Sequence, residues 1–166
     1  MYLNLICTLK QRRFRKVEKF NFSRIVDILP HGSEAIYIEE AEKKNKYEIT
    51  AWVNLTGKES YFRGHFTGNP ILPGHIMIEM IAQTGALLYL SEEKNHGQPV
   101  LLCCVDAKFK AKVSPPAKLR IEVCFSGGKG DMQRGSGTII VVNNSDSRSE
   151  KVVCKMDFMG VFGRDS

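Results

Sequence analysis

The sequence lacks any uncharged apolar run of about 18 residues, the length a membrane-spanning helix needs, so no span is expected. It also lacks a CxxC pair. Its five cysteines, Cys7, Cys103, Cys104, Cys124 and Cys154, are odd in number and scattered. Zinc-site and thioredoxin-like readings therefore find no support, no metal is expected, and a reduced, cytoplasmic chain is the expectation. Internal repeats and linker-like segments are missing too, which leaves one domain of ordinary size in 166 residues. With 43% apolar and 25% charged residues, disordered, collagen-like and mucin-like classes are excluded.

An excess of one charge sign is missing from most of the chain. Lys and Arg number 24 against 18 Asp and Glu, for a formal net charge of +6. Six of those basic residues (Lys10, Arg12, Arg13, Arg15, Lys16, Lys19) fall in residues 1–20, with one acid, Glu18. The remainder is almost balanced, so the basic character belongs to one end and nucleic acid is not an expected partner. Residues 1–20 read as a basic N-terminal extension, either solvated or adding an edge strand, and residues 21–166 as the domain. Apolar residues precede basic ones in the extension, the reverse of a secretory signal. An organelle-targeting role is the compositional alternative.

What is present divides into one exceptional helix and several strands. Asn21–Leu29 reads as a short amphipathic helix, capped by Ser23 and stopped by Pro30. Glu34–Glu40 and Lys46–Asn54 read as strands separated by a polar break at Glu42–Lys46. Thr56–Pro73 is a loop. Gly74–Leu90 (GHIMIEMIAQTGALLYL) is apolar around nearly its whole circumference, which predicts a helix buried on every side. Strand patterns follow at Val100–Lys112, Lys118–Phe125, Gly137–Asn143 and Lys151–Phe158, separated by Gly- and Asn-rich segments. One buried helix with five to six antiparallel strands defines an α+β class, and a sheet wrapped around the helix is the economical way to bury it.

The residues with chemical potential concentrate in Tyr61–Gln83, YFRGHFTGNPILPGHIMIEMIAQ. His65 stands in a Gly/Pro-rich loop, where a histidine is either surface decoration or a base. Glu79 stands inside the apolar helix. A carboxylate there is costly unless paired or protonated, and burial is expected to raise its pKa and keep it a proton donor. The alternative is a structural hydrogen bond at a subunit interface. Gln83, one turn on, shares the Glu79 face and is placed to bond it. Gly74 opens the helix, where unpartnered N–H groups and the helix dipole suit an anion or a polarised carbonyl oxygen. Pro73 stiffens the approach.

The run Gly64-His65-Phe66-Thr67-Gly68-Asn69-Pro70-Ile71-Leu72-Pro73-Gly74, with Glu79 and Ala82-Gln83 after it, resembles the signature GHFPGxPxxPGxxxxEAxAQ. That signature belongs to the 3-hydroxyacyl-acyl-carrier-protein dehydratases of the FabZ type. Ile28-Leu29-Pro30-His31, Glu59–His65, Val105–Lys110 and Lys151–Cys154 resemble further family segments, so the likeness spans about residues 21–160. It implies the hot-dog fold, a curved antiparallel sheet around one long central helix. It also implies a homodimer, often a trimer of dimers, with sites shared between subunits. His65 would take the C2 proton and protonated Glu79 would deliver a proton to the departing 3-hydroxyl. The Gly74 N–H would hold the thioester carbonyl, and the Ile71 carbonyl would orient the imidazole. Phe66, Pro73 and Gln83 would support them, with no cofactor. The family's isomerising branch has Asp at the Glu79 position, so plain dehydration to the trans-2-enoyl thioester is implied.

The chain departs from the pattern at Thr67, Met80 and His75, and most in the segment after His31, where the family's RYPF residues are replaced. His75 is read as a helix-capping residue rather than a perturbation of the site. An acidic acyl carrier protein would meet basic residues. Residues 107–120 offer Lys108, Lys110, Lys112, Lys118 and Arg120 with no acid, or else a lysine-protected strand edge. A hot-dog acyl thioesterase and a non-catalytic carrier-binding subunit are the competing readings.

Overall fold

The computed structural model describes residues 17–92, 95–142 and 150–163. The basic cluster Lys10–Lys16 and the polar run Asn143–Ser147 lie outside the described residues. Strand β1 (Glu18–Phe20) leads into helix α1 (Phe22–Ile28). Hairpin β2 (Glu40–Asn45) and β3 (Glu48–Leu55) precedes the long helix α2 (Gly74–Leu90). Strands β4 (Val100–Phe109), β5 (Ala117–Lys129), β6 (Met132–Val142) and β7 (Lys151–Phe162) complete one seven-stranded sheet, ordered β1-β2-β3-β5-β6-β7-β4. All its pairings are antiparallel. No helix among the described residues is long and apolar enough to cross a membrane.

The sheet begins at Glu18, inside the segment read as an extension. Phe20 is buried, and Arg24 ties the strand to α1 through Glu18, the Lys19 carbonyl and the Phe20 ring. Asn21, not Ser23, caps α1: its side chain accepts from the Arg24 N–H, because the helix starts at Phe22, two residues earlier than a Ser23 cap implies. In β5, Leu119, Ile121, Val123 and Phe125 alternate inward to meet α2, the period-two pattern of a half-buried strand.

Three expectations are corrected. Residues 36–39 form no strand, and Ser33–Ala35 make a 3-10 turn. Gln83 takes the Ala35 carbonyl and the Tyr37 N–H, two groups a ladder would have used. The polar Glu42–Lys46 segment is mostly strand instead, with its turn at Lys46–Tyr47. The glycine-rich run after Phe125 is also not a loop. β5 and β6 continue through it as a hairpin that bulges between Phe125 and Gly127, and the left-handed Gly130 (φ 60°) turns the tip.

Helix α2 is not covered on every side. His75 is exposed, and Ile78, Glu79 and Ala82 are half-buried, one stripe at helical spacing. The rest packs tightly: Met80, Ile81, Leu87 and Leu90 have no exposed surface. Gly137 on β6 lets the helix approach, since an ideal Cβ there would stand 2.2 Å from Ile81 Cγ2. Cys103, Cys104 and Cys154 are free.

Gly137→Ala is expected to destabilise the fold by about 1–3 kcal/mol, the usual cost of overpacking. A urea melt reads this as a lower midpoint at unchanged slope; an unchanged midpoint contradicts the packing described.

Candidate active site

The loop before α2 is built to hold His65. Gly64 and Gly68 adopt left-handed φ values of 81° and 74°, which side-chain-bearing residues rarely adopt, and they bracket the loop tip. The His65 N–H bonds the Phe62 carbonyl at 3.2 Å, and the Ile71 N–H bonds the His65 carbonyl at 2.9 Å. Phe66 and Asn69 exchange backbone bonds, and the His65–Phe66 peptide is cis. His65 Nδ1 lies 2.9 Å from the Ile71 carbonyl. A carbonyl only accepts, so Nδ1 carries the proton and Nε2 keeps its lone pair. Phe66, 55% exposed, stacks on the imidazole at 4.3 Å.

Pro73 precedes α2 and supplies no side-chain cap acceptor. Its carbonyl accepts from Ile76 and Met77, which leaves the Gly74 N–H at the open end of the helix. Phe109 covers this point: an ideal Cβ at Gly74 would stand 2.9 Å from its ring. The Phe109 ring therefore packs where a side chain at position 74 would stand.

One turn into α2, Glu79 Oε1 accepts from Gln83 Nε2 at 2.9 Å. The buried Gln83 amide also donates to the Ala35 carbonyl at 2.7 Å and accepts from the Tyr37 N–H at 2.9 Å. His31 Nε2 lies 3.4 Å from the same Glu79 oxygen. The hydrogen bond from His31 is the largest influence on Glu79 and draws its carboxyl below the usual range. Burial opposes it, and the Gln83 hydrogen bond adds to it. The net direction is opposite to the rise expected from burial alone. The side chain is still 37% exposed, so desolvation does not outweigh its donors.

A cavity of about 80 Å³ opens at Glu79, between Ala82 and Ala86 of α2 and Leu102, Phe158 and Phe162 of the sheet. A larger hollow of about 490 Å³ lies at the far end of α2, and it contains none of the candidate residues. Of its two lysines, Lys43 is engaged by Ser91 and Glu92, and Lys46 lies over the Tyr47 ring at 4.8 Å.

The chain thus brings His65 to Ile71 and Phe66, and Glu79 to Gln83. Among the described residues no hydrogen bond or ion pair joins His65 to Glu79. Of the basic cluster, Lys108, Lys110, Lys112 and Lys118 are exposed, and Lys108 sits 3.6 Å from Asp106. Arg120 is engaged by Glu122 at 2.8 Å and by both oxygens of Glu150, which removes it from the free cations. Strand β4 ends at Phe109, three residues short of the expected end, so Lys110 and Lys112 follow it rather than lie in it. Sequence reasoning assigned no role to His31 or Phe109, although both lie in segments that resemble the family, Ile28–His31 and Val105–Lys110.

The long central helix inside one antiparallel sheet defines a hot-dog protein. The solved dehydratase heterocomplex ApeI:P from Xenorhabdus doucetiae superposes with a TM-score of 0.71 at 15% identity, over 88% of this chain and 93% of that one. A zebrafish thioesterase superfamily member 2 superposes with a TM-score of 0.61 at 10% identity, over 86% and 93%. These likenesses concern the fold alone. A FabA-like domain model matches residues 33–157. A 3-hydroxyacyl-acyl-carrier-protein dehydratase FabZ of Clostridium tetani is 35% identical over 89% of this chain and all of the relative. The FabZ of Clostridium perfringens is 30% identical over 86% and 99%. The chain belongs to the FabA-like family and within it to the FabZ-type dehydratases.

Gln83→Leu is expected to strip the Ala35 carbonyl and the Tyr37 N–H of their partner and destabilise the protein by about 1–3 kcal/mol. The Glu79 carboxyl then titrates at higher pH, since the lost bond favoured its ionised form. Denaturant melts and a carboxyl carbon-13 titration read the two effects.

Proposed function

We propose that the protein dehydrates (3R)-3-hydroxyacyl chains carried by acyl carrier protein to trans-2-enoyl thioesters, in fatty-acid or related polyketide or polyene assembly. The observation that carries this reading is the His65 imidazole, locked at Nδ1 by the Ile71 carbonyl so that Nε2 is a free base. His65 Nε2 takes the C2 proton while the thioester carbonyl leans on the Gly74 N–H, which stabilises the enolate charge as it develops. The C3–O bond then breaks. The hydroxyl departs as water with the proton returned by the His65 imidazolium, and the ring ends neutral as it began. Glu79, drawn below the usual carboxylate range, accepts a hydrogen bond from the 3-hydroxyl and steers it towards His65. No metal or redox group enters this scheme.

A second copy of the chain completes the site in this reading. The bare α2 stripe and the exposed Leu101, Val105 and Phe109 of edge strand β4 are the faces it would cover. His65 of one subunit would then work with Glu79 of the other; a trimer of dimers is the larger assembly this family resemblance implies. The carrier is acidic, and Lys108, Lys110, Lys112 and Lys118 are its counterpart here. A thioesterase reading has only low-identity fold likeness behind it.

His65→Ala and Glu79→Gln are each expected to lower kcat by at least about a hundredfold with the fold intact. Mixed and refolded together, the two variants regain part of the activity, because one hybrid site in each heterodimer is whole. Retained activity in both single variants overturns the assignment. In a separate measurement, Lys110→Glu with Lys112→Glu raises KM about tenfold for carrier-linked substrate and leaves the coenzyme A thioester unaffected. Equal KM changes for both substrates contradict the carrier patch.

A further inference from the structure

We propose that His31 is a positioning residue for Glu79: its imidazole carries its proton on Nε2, holds Oε1, and leaves Oε2 to face the 3-hydroxyl. The inference rests on the dehydration reading for what Oε2 meets. The contact itself rests on the geometry of the chain.

Four observations converge. His31 Nε2 stands 3.4 Å from Glu79 Oε1, at the outer reach of a hydrogen bond. Gln83 Nε2 reaches the same oxygen at 2.9 Å, so two donors address Oε1, while Oε2 has no hydrogen bond among the described residues. The other imidazole nitrogen, Nδ1, is buried with no hydrogen-bond partner among the described residues. A proton there would bury an N–H with no acceptor, a costly arrangement, so the ring is held in the tautomer that donates to Glu79. The backbone around it is anchored: Ile28 and Leu29 are buried, and the Gly97 N–H bonds the Ile28 carbonyl at 3.1 Å.

The surroundings leave the carboxylate to these two donors. From its own helix Glu79 meets Gln83, and from the α1–β2 connection it meets His31. From β4 and β7 the cavity presents Val100, Leu102, Phe158 and Phe162, none of them titratable. With Gln83 bonded to Oε1 and His31 Nε2 3.4 Å from it, rotation of the carboxylate about its own axis costs one hydrogen bond and the His31 contact, and Oε2 is the oxygen left without a hydrogen bond among the described residues. The same contacts keep the group ionised, as an acceptor for the 3-hydroxyl requires.

The test separates position from mere packing. A nitrogen-15 spectrum of the wild-type protein is expected to show His31 protonated on Nε2 and bare on Nδ1; the opposite neutral tautomer overturns the proposal without any variant. His31→Leu keeps bulk and loses the donor, and it is expected to lower kcat about tenfold with KM within about twofold. The Glu79 carboxyl, followed by carbon-13 titration, moves to higher pH in that variant. His31→Gln places an amide donor near the Nε2 position and restores most of kcat and the low titration. A leucine variant with wild-type kcat, or equal losses in both variants with the Glu79 titration unmoved, overturns the proposal. If the wild-type protein turns over no 3-hydroxyacyl thioester, the dehydration reading falls, and the tautomer and titration still decide the His31 contact.

Discussion

A carboxylate midway along an otherwise apolar helix needs donors, and this chain arranges its architecture around supplying them to Glu79. Gln83 answers from one turn away on the same helix, and His31 answers from the segment beyond α1. Gln83 has obligations of its own: it fastens the Ala35 carbonyl and the Tyr37 N–H, which fixes the stretch leading into β2. The stretch after His31, where the chain departs most from the family pattern it resembles, is thereby tied to Glu79 through one amide. Altered residues there reach the site through a defined contact.

The second constraint is the helix start. A side chain at Gly74 would displace the Phe109 ring, which stands 2.9 Å from an ideal Cβ there. Pro73 provides no side-chain acceptor, so the Gly74 N–H at the head of α2 has no side-chain cap, as the proposed carbonyl contact requires. His65 reaches its orientation differently, through a loop bent at two left-handed glycines and a carbonyl six residues on. Base, carboxylate and helix terminus come from one short stretch of chain. Within one chain, however, His65 and Glu79 do not bond each other, and the α2 stripe carrying Glu79 is bare. A second copy of the chain resolves both facts together in the proposed assembly.

Much of this was legible in the amino-acid order. The apolar circumference of Gly74–Leu90 marked the central helix, and period-two burial marked β5. The motif around His65 and Glu79 marked the site region. What stayed illegible has physical causes. The strand pattern at Glu34–Glu40 was genuine in its apolar residues, since Ile36 and Ile38 are buried, yet a distant glutamine took the backbone groups a ladder needs. The glycines after Phe125 looked like a loop because composition does not reveal a bulged hairpin. Burial of Glu79 was foreseen in kind, but its donors decide its protonation, and His31 is 48 residues away in sequence. The charge excess divided in a similar way. Arg120 belonged by sequence to the cationic run, but two glutamates engage it in the fold.

The central claim is that the site removes water from a 3-hydroxyacyl thioester and leaves the thioester bond whole. The most direct measurement follows ultraviolet absorbance and free thiol together as the wild-type protein meets a 3-hydroxyacyl carrier-protein thioester. The account predicts rising absorbance of the conjugated enoyl thioester with no thiol released. Thiol release without the absorbance change, or no reaction at all, would contradict it.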